Sequence, residues 1–196
     1  MDEQRRKARR MLRDRFEVRL AGEGGQGMIL AGVILAEAAI RDGLNAVQTQ
    51  SYGPEARGGA SRSEVIIAQG EIDYPKVMEA DLLLCMSQAA CDKFYLQVKE
   101  DGHIVVDATN VSRVPSHRAI AAPITDLALE ATGRRITASI TALGLVGGLT
   151  GVVSREALEG AVAARAPAGT EEMNLKALAV GFQEAERLRR EPGEET

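Results

Sequence analysis

Phe16-Glu17-Val18-Arg19-Leu20-Ala21-Gly22-Glu23-Gly24-Gly25-Gln26-Gly27 reads as a short strand running into a glycine-rich turn, with a long apolar helix following from about Met28. Gly22, Gly24 and Gly27 keep the G-x-G-x-x-G spacing of phosphate-binding turns. Glycine lets the backbone turn tightly and lets a ligand come close to it. The following helix would offer an anion its unpaired N–H groups and the positive end of its dipole. A turn that merely packs closely has the same spacing, so a nucleotide-like ligand and a structural turn both stay open.

Outward from that stretch, Phe16, Val18 and Leu20 alternate with Glu17 and Arg19, which predicts a strand with one polar face. The first strand of a doubly wound sheet is normally apolar on both faces, so the pattern points away from a standard Rossmann domain. Met28–Ile40 is apolar nearly all round, predicting a helix buried on most sides, with Gly43 as its C-cap. Val47-Gln48-Thr49-Gln50-Ser51-Tyr52 forms a polar second strand, and Gly53–Gly59 breaks either period as a loop. Ser61–Ala68 returns as a strand, with Ile72–Tyr74 pairing back after a turn at Gly70-Glu71. Such a β–β unit implies antiparallel pairing and therefore a mixed sheet.

Ala80–Met86 is the candidate central parallel strand, and Ser87 caps a helix over roughly Gln88–Val98. His103–Asp107 and Arg118–Ala121 read as strands and Ile124–Ala131 as a helix. Ile136–Leu149 is small and apolar, with Gly144, Gly147 and Gly148 permitting close helix packing; it serves as core or faces another subunit. Ser154 caps Arg155–Ala164, and Thr170 caps a final helix to Arg190. The pattern is that of a single α/β domain over 16–190, with a basic arm at 1–15 and a disordered tail at 191–196.

The bulk numbers set limits. A chain of 196 residues is one domain with a real core. Aromatics are 3% and Trp is absent, which argues against stacking platforms for single-stranded nucleic acid. Net charge is −4 and the pI about 5.4, so no global basic field attracts nucleic acid or an anionic membrane. Arg5, Arg6, Lys7, Arg9, Arg10, Arg13 and Arg15 make the arm a solvated charged face or a docking arm for an acidic partner. The first fifteen residues lack an apolar signal region, and no apolar run free of glycine and charge is of membrane-spanning length. A soluble cytoplasmic protein is expected. Cys85 and Cys91, the only cysteines, are too few for an iron–sulfur cluster and are not spaced as CxxC. Cys85, inside an apolar strand, is expected to be a buried core thiol.

A dinucleotide site wants an acidic residue at the end of the second strand, roughly 20 residues past the glycine turn. Here Gln48 to Tyr52 supply none, and Glu55 falls in the next loop. Tyr52-Gly53-Pro54-Glu55-Ala56-Arg57-Gly58-Gly59 forms a second constellation. Arg57, flanked by glycines, presents its guanidinium fork to a phosphate or carboxylate, or else pairs with Glu55 to fix the loop. A βαβ arrangement would put both loops at carboxyl ends of neighbouring strands, where open sheets bind ligands. His103 and His117 lack partners at metal-ligand spacing, and no G-x-S-x-G elbow occurs. Asp107 ends a strand, where capping is its expected role. From the residues alone, this is a ligand- or partner-binding domain without evident catalytic machinery. A stand-alone binder of a phosphorylated ligand is one form of that, and a nicotinamide dehydrogenase the less favoured one.

The order Gly22-Glu23-Gly24-Gly25-Gln26-Gly27, Tyr52-Gly53-Pro54-Glu55-Ala56-Arg57-Gly58-Gly59, Glu79-Ala80-Asp81-Leu82-Leu83-Leu84 resembles the gamma subunits of 2-oxoacid:ferredoxin oxidoreductases, over about Phe16 to Phe182. The resemblance implies a three-layer α/β domain with a mixed, partly closed sheet. It also implies a subunit of an enzyme that oxidatively decarboxylates a 2-oxoacid, 2-oxoglutarate or pyruvate, on thiamine diphosphate with Mg. Electrons pass through iron–sulfur clusters to ferredoxin, and the acyl group goes to coenzyme A. Thiamine diphosphate and clusters would sit on partner alpha, beta or delta chains. This chain would carry no catalytic residue and no metal of its own. Gly22, Gly24, Gly25, Gln26, Gly27, Arg57, Gly58 and Gly59 would line the coenzyme A region. A homodimer in isolation is left open. Where relatives often carry Asn before a late apolar helix, this chain has Ile136-Thr137-Ala138-Ser139, a departure from the family pattern.

Overall fold

The computed structural model describes residues 15–51, 60–114 and 118–190. The arm at 1–14, the second constellation at 52–59, His117 and the tail at 191–196 lie outside the described residues. The elements are β1 (Phe16–Glu23), α1 (Met28–Arg41), β2 (Asn45–Ser51), β3 (Ala60–Ala68), β4 (Ala80–Cys85), α2 (Gln88–Phe94), β5 (Val98–Asp107), β6 (Ala119–Ala122) and α3 (Ile124–Thr132). A 3-10 turn (Arg135–Thr137) then leads into α4 (Ala138–Thr150), α5 (Arg155–Arg165) and α6 (Glu171–Arg190).

The strands form one mixed sheet in the order β2-β3-β1-β4-β5-β6. β3 runs antiparallel to both β1 and β2, while β1, β4, β5 and β6 are parallel. Phe16, Val18 and Leu20 of β1 and Leu82 and Leu84 of β4 point to one face, into a core shared with α1, α3, α4, α5 and α6. Ala21, Leu83, Cys85, Ile104 and Val106 point to the other face, where Ala90, Cys91 and Phe94 of α2 cover them. Helices on both faces of a mixed sheet give the three-layer α/β domain that the sequence implied.

The polar face of β1 is buried inside the sheet, with Arg19 2% and Glu17 9% exposed; Arg19 Nε donates across the sheet to Glu64 Oε1 at 2.7 Å, and Glu17 accepts from Arg15 Nε. Three local expectations need correction. The helix after Ser87 stops at Phe94, because the Gln97 carbonyl accepts from Ala80 N–H and draws Val98 into register with β4. Ile72–Tyr74 does not pair back; Ile72 instead packs on Ile66, Val77 and Ala80. Thr170 does not cap α6 with its hydroxyl, which donates to the Pro167 carbonyl.

Other readings hold. Ser87 and Ser154 accept from the N–H groups of Ala90 and Ala157 as caps. Within Ile136–Leu149, Ala138 to Gly147 are all buried within the chain, while Ile136 is 74% exposed. A Cβ on Gly144 would meet the Leu178 carbonyl oxygen at 2.1 Å, and one on Gly148 the Ala185 Cβ at 2.4 Å. The absence of those side chains is what lets α4 and α6 pack backbone to backbone.

Candidate functional site: a glycine loop at the switch point of the sheet

The chain leaves β1 through α1 on one face toward β2, and leaves β4 through α2 on the opposite face toward β5. The carboxyl ends of β1 and β4 therefore flank the topological switch point, where open α/β sheets leave a crevice for ligands. Residues 22–27 occupy that position.

The loop is built by a few directed contacts. Gln26 turns its side chain inward: Oε1 accepts from Glu23 N–H at 2.7 Å and Nε2 donates to the Met86 carbonyl at 3.0 Å, tying the end of β1 to the end of β4. A Cβ on Gly22 would stand 2.5 Å from that Oε1, so Gly22 makes room for the brace. Ser61 Oγ donates to the Gly22 carbonyl at 3.2 Å from the β3 side. Gly27, at φ 77, is the N-cap of α1, and a Cβ there would meet Ser139 Oγ at 2.7 Å.

Gly24 and Gly25 differ. Both are exposed and a Cβ on either meets nothing within 4 Å, while Gly25 takes φ 89. Within the loop, these two present bare backbone to the outside. Just beyond them, α1 starts with no capping side chain and no acidic residue in its first turn. Ala31 N–H makes the first bond, to the Gly27 carbonyl, which leaves Met28, Ile29 and Leu30 N–H without intrahelical partners. Such a terminus favours negative charge.

Of the sequence-derived site residues, Gly22, Gly24, Gly25, Gln26 and Gly27 lie together. Their roles divide: Gly22, Gln26 and Gly27 shape the loop, and Gly24 and Gly25 face outward. Arg57, Gly58 and Gly59 lie outside the described residues. The strands on either side of them are placed, however: Ser51 and Ala60 pair within the sheet at the end where Ala60 lies opposite Glu23. The two loops thus start from the same edge, although β3 lies between β1 and β2, so their strands are not neighbours. This inserted antiparallel strand also accounts for the missing ribose-binding acid, since β2 is not the strand beside β1.

Sequence reasoning missed Ser61 and the Met86 carbonyl. The register between β1 and β3 could have exposed Ser61; nothing local marks Met86. Ser139, noted only as a departure from pattern, proves to be the residue against Gly27. Asp107 is the buried cap that was expected: its carboxylate accepts from Thr125 N–H and Oγ1, Thr109 N–H and Asn110 Nδ2. The Cys85 thiol, 0% exposed, shares a hydrogen bond with Cys91; the pairing and burial hold Cys85 well above the usual thiol range and the same bond lowers Cys91. No described helix is long and apolar enough to cross a membrane.

A family model described as pyruvate ferredoxin/flavodoxin oxidoreductase matches residues 17–184. The chain is 48% identical over 185 residues to the 2-oxoglutarate synthase subunit KorC of Methanocaldococcus jannaschii, covering 92% of this chain and 99% of that one. It is 28% identical over 177 residues to the pyruvate synthase subunit PorC of Methanothermobacter thermautotrophicus, with coverage of 89% and 98%. Among solved structures, the gamma subunit of a keto/oxoacid ferredoxin oxidoreductase from Geobacter sulfurreducens superposes with a TM-score of 0.79 at 50% identity, covering 88% of this chain and 99% of that one.

Proposed function

The chain belongs to the pyruvate ferredoxin/flavodoxin oxidoreductase family, and from that premise we propose that it is the gamma subunit of a 2-oxoacid:ferredoxin oxidoreductase acting on 2-oxoglutarate. The observation that carries this is the end-to-end match to KorC, 48% identical over 99% of that protein, against 28% for PorC. Residues 16–190 form the family domain. The complex works in the cytoplasm with alpha and beta chains and, in some assemblies, a delta chain, and ferredoxin takes the electrons.

The division of labour follows from the side chains. The two cysteines, Cys85 and Cys91, are buried free thiols and too few to supply the four thiolates of a cluster. Thiamine diphosphate, Mg and the iron–sulfur clusters belong to the partner chains and supply decarboxylation and electron transfer there. This chain contributes to coenzyme A binding. Gly24 and Gly25 let a phosphate approach the backbone, the α1 amides of Met28 to Leu30 donate to it, and Gln26 holds the loop in shape. Arg57, with Gly58 and Gly59, adds a guanidinium from the adjoining loop.

The test is to purify the affinity-tagged chain from its own cells. Thiamine-diphosphate-binding and iron–sulfur chains should co-purify, and the complex should reduce ferredoxin with 2-oxoglutarate only when coenzyme A is present. Preference for pyruvate would overturn the choice of oxoacid. A chain recovered alone that binds nucleotides tightly would instead favour a stand-alone binder of phosphorylated ligands. Within the complex, Arg57→Ala should raise the KM for coenzyme A; an unchanged KM and rate would make Arg57 structural.

A further inference from the structure

Two polar features at the start of α1 are left without partners by the fold, and they lie against each other. The first is the helix terminus. Gly27 supplies no capping side chain, no acidic residue stands in the first turn, and the N–H groups of Met28, Ile29 and Leu30 precede the first intrahelical bond at Ala31. Many helices begin in this way with no ligand, so the terminus alone assigns nothing. The second is Ser139, in the first turn of α4.

Ser139 is 3% exposed, and its hydroxyl makes no hydrogen bond among the described residues. A buried hydroxyl on a helix ordinarily returns its proton to a carbonyl about one turn back. Thr150 Oγ1 does so with the Val146 carbonyl at 2.8 Å, and Thr137 Oγ1 donates to the Arg134 carbonyl at 2.8 Å. Ser139 keeps its proton free. Among the described residues, the side-chain atoms both unpartnered and sealed from solvent are Thr109 Oγ1 and Thr141 Oγ1. Ser139 Oγ is not sealed, so the little exposure that the residue keeps reaches its hydroxyl.

That hydroxyl is turned toward the terminus. A Cβ on Gly27 would stand 2.7 Å from Ser139 Oγ and 3.1 Å from the serine Cβ, so the oxygen is the nearer atom. Gly27 is the N-cap, where a serine or aspartate would set an oxygen within reach of the second or third amide. The glycine leaves that place empty, and Ser139 brings an O–H to its edge. A purely structural cap would have Ser139 accept from one of the amides, and it accepts from none. Free amides, a free hydroxyl and the positive end of a helix dipole together suit an oxyanion. We propose, resting on the gamma-subunit reading, that Ser139 is a ligand-binding residue of the glycine loop. Its O–H donates to an oxygen of the coenzyme A phosphate that the Met28 to Leu30 amides hold, which extends the site from α1 to α4.

The experiment uses the assembled complex, purified through a tag on this chain and carrying Ser139→Ala or Ser139→Cys. Losing a hydrogen bond to a charged group should weaken coenzyme A binding about tenfold or more. The loss should appear both in the KM for coenzyme A and in its dissociation constant by calorimetry without oxoacid, while the KM for 2-oxoglutarate stays in place. Cysteine fills the volume of serine but bonds weakly, so Ser139→Cys should share the loss. Wild-type constants in Ser139→Cys would assign any effect of Ser139→Ala to packing against Gly27 and overturn the proposal. Unchanged coenzyme A affinity in both variants, or a rise confined to the KM for 2-oxoglutarate, would overturn it too. Gly24→Ala, measured alongside, separates the two levels. If it weakens coenzyme A binding and the Ser139 variants do not, only Ser139 leaves the site; if none does, the glycine loop itself is not part of the coenzyme A region.

Discussion

Gly27 lies directly against Ser139, so close that a Cβ on the glycine would stand 2.7 Å from Oγ and 3.1 Å from the serine Cβ. The contact locks the start of α1 to the start of α4, and Gly27 holds φ 77 to make it. Gly27→Ala therefore meets both a left-handed backbone, worth roughly 1–2 kcal/mol, and a steric conflict. A loss of about 2–4 °C in Tm per kcal/mol is expected for a chain of this size. Ser139→Gly should relieve the steric part only, so the two substitutions together should cost less than their sum in a denaturant double-mutant cycle. Strict additivity would show that the two residues do not press on each other.

Gly22 and Gly24 should respond differently to the same change. Gly22→Ala places a methyl group 2.5 Å from Gln26 Oε1 and must break the brace to Glu23 and Met86, so it should lower stability by about 1–3 kcal/mol. Gly24→Ala enters open space and should leave the unfolding midpoint nearly unchanged. Its effect should appear instead as a raised KM for coenzyme A in the assembled complex. A Gly24→Ala complex with unaltered coenzyme A saturation would remove Gly24 from the site.

These glycines show where the sequence was informative. The G-x-G-x-x-G spacing placed the turn correctly between β1 and α1, because strand alternation and helix apolarity are local signals. It could not say which glycines serve packing, since Ser139 is over a hundred residues away and Gln26 looks like an ordinary polar loop residue. The sheet is mixed as expected, but its antiparallel pairs are β2–β3 and β3–β1 rather than the Ser61–Ala68 and Ile72–Tyr74 unit from which the mixing was read. The burial of Arg19 was not legible, because Glu64, Gln97 and Val77 reach it only once β3 and the segments flanking β4 and α2 have assembled. A charge in an alternating strand is read as solvent-facing unless its distant partners are known.

Arg19 and Glu64 form a pair with side chains 2% and 9% exposed. Removing Arg19 leaves Glu64 only the longer contact to Arg62 Nε at 3.7 Å, and breaking a buried pair typically costs about 3–5 kcal/mol. Arg19→Met should thus be among the most destabilising single changes outside the apolar core. Arg19→Met/Glu64→Met should recover part of the loss, because no bare carboxylate remains. Equal stability of the single and double variants by urea denaturation would mean that Glu64 is satisfied without Arg19.

Glu37 ties α1 to α5: Arg165 Nε donates to its Oε2 at 2.6 Å, and Arg41 Nη2 to its Oε1 at 2.8 Å. Hydrogen bonding from Arg165, then from Arg41, holds the Glu37 carboxyl below its ordinary value of 4.5. A depressed folded-state value means that the unfolded chain takes up the proton first on acidification. The stabilisation is therefore complete above the ordinary value and is lost as pH falls through the folded one. Both arginines are 42–50% exposed, so water and salt screen the contact to about 0.2–1 kcal/mol. Glu37→Gln should lower stability by that amount at pH 7, with the gap closing on acidification and in molar salt. A gap that persisted unchanged well below the carboxylate range would assign the effect to packing at the α1–α5 contact rather than to charge.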